Sequence, residues 1–238
     1  MKRGGMTIEK RRKILAKALL AELGLFVWAA TALFGLAGTI LWLAAWLFLF
    51  LFFGFVTGLA TYLYWHDPEL LAERMTVLKA DQFAWDKVWI SLFYSLSALW
   101  FTLMPIDRRW HLSHIPGQPI WLQSVGVLLL LGSETLIFFA VRENAYASPV
   151  VRIQQGHKVI DTGLYALVRH PLYTGAILFY LGVPLLLGSG YGLAFSTSVF
   201  IEMLWVRTQH EEETLRRFLP DYEAYMRRVR WRFIPGIY

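Results

Sequence analysis

Between Ala18 and Trp65 the chain runs for 48 residues with a single charged side chain, Glu22. A water-soluble fold has no place to hide such a stretch, whereas a bilayer core about 30 Å thick takes roughly 20 apolar residues per helical crossing. The stretch is too long for one crossing and right for two, with Gly35 and Gly38 at the turn. Four more apolar segments follow. Spans are expected near residues 14–36, 39–65, 87–105, 119–141, 171–187 and 191–206. The last two are short and are separated by Gly188-Ser189-Gly190, so they suit a tight hairpin that does not fully cross. The expected fold is all-α: a polytopic membrane protein with about six hydrophobic segments and a cytosolic C-terminal helix. Composition agrees, with 57% hydrophobic residues and only 17% charged, against about 25% charged in a typical soluble domain. With no cysteine, disulfides, thiolate metal sites and cysteine nucleophiles are excluded.

The first apolar segment is preceded by Lys10, Arg11, Arg12 and Lys13, as a signal peptide would be. It is far longer than the 7–15 residues of a signal-peptide core, and a retained anchor is expected. Of the 23 lysines and arginines, 21 fall on one side of the six-segment arrangement. Only Arg108 and Arg109 fall on the other. Cytoplasmic loops carry the basic excess, so both termini are expected in the cytosol of a multi-pass protein. The formal charge of +6 then reads as topology signal and contact with anionic lipid, not as a nucleic-acid footprint. Trp65, Trp85, Trp89, Trp110, Trp121 and Trp205 stand near span ends, where aromatic belts form. The Phe-rich run Phe48–Phe55 is expected to face lipid. No internal repeat or flexible linker divides the chain, which is read as a single membrane domain over residues 1–238.

Polar chemistry concentrates after residue 142, in two segments around the last hairpin. The first runs from Gln154 to Gly175 and contains His157-Lys158-Val159-Ile160, Gly163-Leu164-Tyr165 and Arg169-His170-Pro171-Leu172-Tyr173. Pro171 suits the first turn of a helix, where its missing N–H costs nothing, and such a terminus attracts anions. The plain alternative is a membrane entry in which Arg169 snorkels and Tyr173 anchors. The second segment is Arg207-Thr208-Gln209-His210-Glu211-Glu212-Glu213. Arg207 and Glu211 are four residues apart and share a helix face. An exposed pair of that kind contributes about 0.3–0.5 kcal/mol. Carboxylates, a guanidinium and a helix start at one interface also form a seat for a small zwitterionic cofactor.

Together these segments resemble the isoprenylcysteine carboxyl methyltransferase group of integral membrane methyltransferases, with phospholipid methyltransferases sharing the general design. The resemblance rests on Gly163-x-Tyr165-x-x-Val168-Arg169-His170-Pro171-x-Tyr173-x-Gly175. After a hydrophobic hairpin it continues with Arg207-x-x-x-Glu211-Glu212 and Tyr222-x-x-Tyr225-x-x-x-Val229. It covers roughly residues 142–236, which makes that stretch the cofactor-binding and catalytic portion. The segment Asp67–Arg74 also looks like a loop of bacterial members. The resemblance implies S-adenosylmethionine as methyl donor and S-adenosylhomocysteine as product. It implies cofactor contacts from Gln154, His157, Lys158, Val159, Ile160, Tyr165, His170, Pro171, Leu172, Tyr173, Glu211 and Glu212. Arg207 would face the acceptor. The implied acceptor is a lipophilic small molecule or lipidated substrate reached from the membrane lipid, methylated on a carboxylate or similar group. Leu164 departs from the proline or small residue usual before the motif tyrosine.

Two carboxylates within spans, Glu134 and Glu202, draw functional suspicion by position. Glu202 lies about one and a half turns from Arg207, near the proposed site, and counts with Arg207 as a catalytic candidate. Should the acceptor be an amine, Glu202, Glu211 or Glu212 would be the base that takes its proton. Glu22 is expected to meet Lys13 or Lys17. His66, His111 and His114 stand in loops without metal-ligand spacing, and no metal is expected. The competing functions are phospholipid N-methylation, thiol methylation and a non-catalytic membrane scaffold or small transporter. Cofactor binding separates the enzymes from the scaffold.

Overall fold

The computed structural model describes residues 6–113 and 119–237. Lys2 and Arg3, which enter the charge count, and His114 lie outside the described residues. Helix α1 spans Ile8–Ala30, capped by Thr7, whose hydroxyl accepts from the Lys10 N–H. It continues through one wider turn, Thr31–Gly35. Gly38 then takes a φ of 71°, a left-handed conformation that glycine reaches without steric cost. Helix α2 spans Leu43–His66 and is apolar on all faces, as a helix in lipid or protein interior must be. Asp67 caps the short helix α3, Pro68–Arg74, by accepting from the Leu70 N–H at 2.9 Å. Helix α4 spans Ala84–Trp110 and α5 Ile120–Glu143. After the loop segment 144–170, which holds one turn of 3-10 helix, Gly163–Ala166, helix α6 spans Pro171–Leu187. Helices α7, Gly190–Phe195, and α8, Ile201–Phe218, follow without a break through a wider turn at Ser196–Phe200. Helix α9, Tyr222–Arg228, completes the set.

Among the described residues, four helices are long and apolar enough to cross a bilayer: Ile8–Gly35, α2, α4 and α5. The protein is an integral membrane protein of helices, with no named strand among the described residues. Helix α6 has 17 residues, about 25 Å at 1.5 Å per residue, short of a full crossing.

Several expectations need correction. The second span starts at Leu43, not 39, because Gly38 turns the chain and residues 39–42 form a linker. The third runs five residues past Pro105, which α4 accommodates inside the helix. The sixth segment continues past Val206 as one helix through Arg207–Glu213, as the shared face of Arg207 and Glu211 implies, and α8 runs on to Phe218. Phe48, Leu49 and Phe53 of the Phe-rich run are core residues packed against Trp100, Phe101 and Phe179, and of its phenylalanines only Phe50 is exposed. Glu22 accepts from the Thr57 hydroxyl on α2, while Lys13 pairs with Glu9.

The tightest contact in the fold is between α5 and α6. A Cβ at Gly126 would stand 2.4 Å from the Leu186 nitrogen, and one at Gly182 2.9 Å from the Gly126 carbonyl oxygen. Ser133 donates across the same crossing to the Gly175 carbonyl at 2.7 Å. Small residues at such a crossing let two backbones touch in a membrane. The consequence is positional: α6 begins at His170-Pro171, so the crossing fixes where the polar segment enters.

The loops segregate by charge. Arg108 stacks on Trp42 and Arg109 lies beside Gly38. Nearby, Asp107 accepts from the Ser189 hydroxyl at 2.6 Å and the Ser113 N–H at 2.7 Å. The opposite end carries α3, the 144–170 loop and the chain beyond Arg207.

Candidate active site

At that opposite end the chain closes on itself through a buried ion cluster. Glu212, on α8, receives Arg169 Nε at 2.7 Å and His170 Nε2 at 3.1 Å on one oxygen. Its other oxygen receives Arg232 Nε at 3.0 Å and Nη2 at 2.9 Å. Arg169 donates in addition to the carbonyls of Val229 and Arg230 at 2.9 and 2.7 Å. The N–H groups of Arg169 and His170 pair with the carbonyls of Trp231 and Arg232, both at 2.9 Å. The tail thus clasps the start of α6. Burial alone would raise the Glu212 pKa, but hydrogen bonds and charge from His170 and Arg169 bring it down to about 2. Arg169 does not snorkel: it is buried at 8% exposure because a carboxylate and two carbonyls await it inside.

Above this clasp lies a cavity of about 320 Å³, within the range of small-molecule sites. Its membrane-side wall is Trp89, Ile90, Phe93 and Tyr94 of α4. Its other walls come from α3, the 144–160 loop, the start of α6, α8 and α9. Of the residues singled out in the sequence, His157, Lys158, Val159, Ile160 and Tyr165 line it. So do His170, Pro171, Leu172 and Tyr173 at the start of α6, and Arg207 and Glu211 on α8. Gly163, whose φ is 54°, makes the turn that delivers Tyr165. A side chain there would also strike Glu143, with a Cβ 2.7 Å from its carboxyl carbon.

Three expected residues lie outside the lining. Gln154 turns away and donates to the Tyr146 carbonyl at 3.0 Å. Glu202 is exposed on the outer surface of α8, because its position faces away from the turn that carries Arg207. Glu212 is occupied by the clasp described above. Glu134 is also elsewhere, in a crevice between α2 and α5 lined by Phe55, Gly58, Leu59, Leu131, Thr135 and Phe138.

Arg207 and Glu211 share a face, yet they are not the ion pair of an exposed helix. Arg207 is 5% exposed. Its Nη2 meets Asp86 at 3.1 Å and the Pro149 carbonyl at 2.8 Å, and its guanidinium stacks 4.3 Å from the Trp89 ring centre. Asp86 is fully buried and also accepts from Gln82 at 2.8 Å and the Val151 N–H at 2.7 Å. Glu211 accepts from the Tyr173 hydroxyl. His170 and Tyr173 stack with ring centres 5.4 Å apart. Asp86 is absent from the sequence-derived site and Trp89 figures there only as a belt residue, because Trp-Asp-Lys reads as the start of a span. The signal was there: a carboxylate in the first turn of an apolar helix that enters the membrane needs a partner once it is buried.

The cavity is polar in a selective way. His157 stacks on Tyr146 at 4.4 Å, and burial lowers its pKa against the opposing pull of Glu211, so it is neutral near pH 7. Burial raises the Tyr165 phenol to about 12, so it stays a hydrogen-bond donor. Trp89 Nε1, His157 Nδ1 and Arg207 Nε are buried without a hydrogen-bond partner, and all three residues line the cavity. Buried polar atoms are almost always satisfied, so this concentration marks a place where a ligand with donors and acceptors belongs. No group of three or more histidines and carboxylates suited to a metal occurs among the described residues.

Fold and cavity together define a class: a helical membrane protein with a polar pocket at one membrane face and an aromatic wall toward the bilayer. Residues 120–217, which hold α5 to α8 and the loop between α5 and α6, match the model of the isoprenylcysteine carboxyl methyltransferase (ICMT) family. It is similar to a probable protein-S-isoprenylcysteine O-methyltransferase of Oryza sativa subsp. indica, 32% identical over 43% of this chain and 56% of that protein. It is similar to protein-S-isoprenylcysteine O-methyltransferase B of Arabidopsis thaliana, 25% identical over 70% of this chain and 86% of that protein. It is also similar to a probable 7-dehydrocholesterol reductase of Acanthamoeba polyphaga mimivirus, 24% identical over 66% of this chain and 38% of that protein. The chain thus spans about half or less of the length of two of these three relatives.

Proposed function

We propose that the protein is an integral membrane methyltransferase that uses S-adenosylmethionine to methylate a carboxylate of a lipophilic, isoprenoid-type acceptor. The observation that carries this reading is the cavity itself: buried unsatisfied polar atoms and Glu211 on one side, an aromatic wall facing the bilayer on the other. The names of the relatives support the acceptor class, since isoprenylcysteine and a sterol are both isoprenoid-derived. The donor set fits a cationic, aromatic-bearing donor. Glu211 offers a negative charge to an ammonium, and His157 and Trp89 offer ring nitrogens.

When bound, S-adenosylmethionine supplies a methyl group on a sulfonium. The residues of the chain then bind, orient and exclude water. A carboxylate acceptor is ionised at pH 7 and needs no base, so orientation and a dry cavity supply most of the rate. Arg207 cannot offer the bidentate grip expected of it, because Asp86 and the Pro149 carbonyl already occupy one end of the fork. It offers instead its Nε–H, a single donor, while its stacked guanidinium stiffens the Trp89 wall. Glu202 has no part in this arrangement.

The test is calorimetry with S-adenosylhomocysteine, together with radiolabelled methyl transfer into membrane lipid and lipidated protein. The wild type is expected to bind and to label a base-labile ester. Glu211→Gln is expected to raise the dissociation constant about tenfold. Label in phospholipid amines would move the assignment to N-methylation. Folded protein with no binding at millimolar S-adenosylhomocysteine would overturn the enzyme reading.

A further inference from the structure

We infer that Arg74 is the carboxylate-binding group of the cavity, an assignment that rests on the methyltransferase reading above. Four arginines line the cavity: Arg74, Arg152, Arg169 and Arg207. Three already have carboxylates. Arg152 is bound to Glu73 and Asp81, Arg169 to Glu212, and Arg207 to Asp86. Arg74 stands apart. Its Nη1 donates to the Ala147 carbonyl at 2.9 Å, and no ion pair joins it to any described residue. Lys158, the lining lysine, is solvent-exposed and keeps its hydration.

A guanidinium has five N–H donors in a fixed fork, and the half-buried Arg74 gives up part of its hydration without an anion to replace it. Glu73, its neighbour in sequence, cannot serve, because it is turned to Lys79 and Arg152. Arg74 lines the cavity with Tyr94 and Tyr165, and its charge reaches the Tyr165 phenol. Tyr165 in turn feels Glu211. One hydroxyl therefore stands within electrostatic reach of an anion and a cation that belong to different elements. That pairing matches an α-amino acid, with its ammonium toward Glu211 and its carboxylate toward Arg74. Tyr94, on the other flank, is 48% exposed on α4, so an acceptor arriving from the bilayer brings its carboxylate to the same guanidinium. The shared chemistry is a carboxylate gripped by a fork, from the amino-acid end of the donor or from the acceptor.

The experiment uses the full chain in detergent and two matched ligand pairs. S-adenosylhomocysteine is compared with 5′-methylthioadenosine, which lacks the amino-acid end. N-acetyl-S-farnesylcysteine is compared with its methyl ester, which lacks the charge. Wild type is expected to prefer the carboxylate-bearing member of at least one pair. Arg74→Gln is expected to reduce that preference about tenfold while binding of the uncharged member is unchanged. Loss in the first pair assigns Arg74 to the donor, and loss in the second assigns it to the acceptor. Should Arg74→Gln fail to fold, Arg74→Lys is read on the same pairs. It is expected to lower the preference several-fold, because an ammonium does not reproduce the fork. Both preferences unchanged in a folded variant overturn the inference alone. Wild-type protein that binds no S-adenosylhomocysteine overturns the methyltransferase reading and the inference with it.

Discussion

Glu211 and Glu212 are adjacent in sequence and have opposite duties. Successive residues on a helix point about 100° apart, so one faces the cavity and the other the clasp. That divergence separates a ligand-facing carboxylate from a structural one. The pH dependence of stability should report the second. The Glu212 pKa falls from 4.5 to about 2 on folding. A depressed carboxylate pKa gives stability that is present above pH 4.5 and lost as pH falls toward 2. The amount is on the order of 3 kcal/mol. Thermal unfolding in detergent should show the wild-type melting temperature dropping through that window, and Glu212→Gln should shrink the drop and lower the plateau. The part that remains belongs to other carboxylates such as Glu73, whose pKa is also lowered, by hydrogen bonds from Lys79 and Arg152 that outweigh burial. A variant with the wild-type profile would mean the clasp is not what holds the tail. The sequence pointed to the pair of glutamates but not to this division, which depends on Arg232 returning from 20 positions downstream. Arg74 was likewise visible only as part of a family-like loop. Its meaning comes from the lack of an ion-pair partner among the described residues, which no linear pattern displays.

Helices were legible where lipid imposes a length. The bounds of α5 and α6 differ from expectation by two residues at most, because Pro119, Pro171 and Gly188 punctuate them. The end of α8 was hidden, since a helix leaving the membrane changes composition without changing conformation. The close approach of α5 and α6 was hidden too: Gly126 and Gly182 read as ordinary glycines until their partners are known. Gly182→Leu should force the two helices apart. A cost of about 1–3 kcal/mol is typical of overpacking, with lower S-adenosylhomocysteine affinity because α6 carries His170 and Tyr173. Melting temperature and calorimetry on the same preparation check both effects. Unchanged affinity in a destabilised protein would show that the crossing does not position the pocket.

For the whole molecule, the segregation of charge is the feature to test. Arg108 and Arg109 stand with the Gly38 and Ser189 turns, and the cavity stands with the remaining polar loops. The basic excess at the cavity end predicts that it faces the cytosol. Cysteines introduced at Arg3 and Gly236 should resist impermeant maleimide in intact cells and react after permeabilisation. Labelling of either from outside would reverse the orientation and, with it, the side from which the methyl donor arrives.

The clasp also sets an order of events during synthesis. Arg169 is held by the Arg230 carbonyl, 61 positions later, and Glu212 receives one cation from Arg169 and another from Arg232. Until residues 229–232 have left the ribosome, Arg169 lacks the carbonyls of Val229 and Arg230, and Glu212 lacks its second cation. Membrane insertion therefore comes first and completion of the site second, so a half-made protein is already anchored before it is able to engage a ligand.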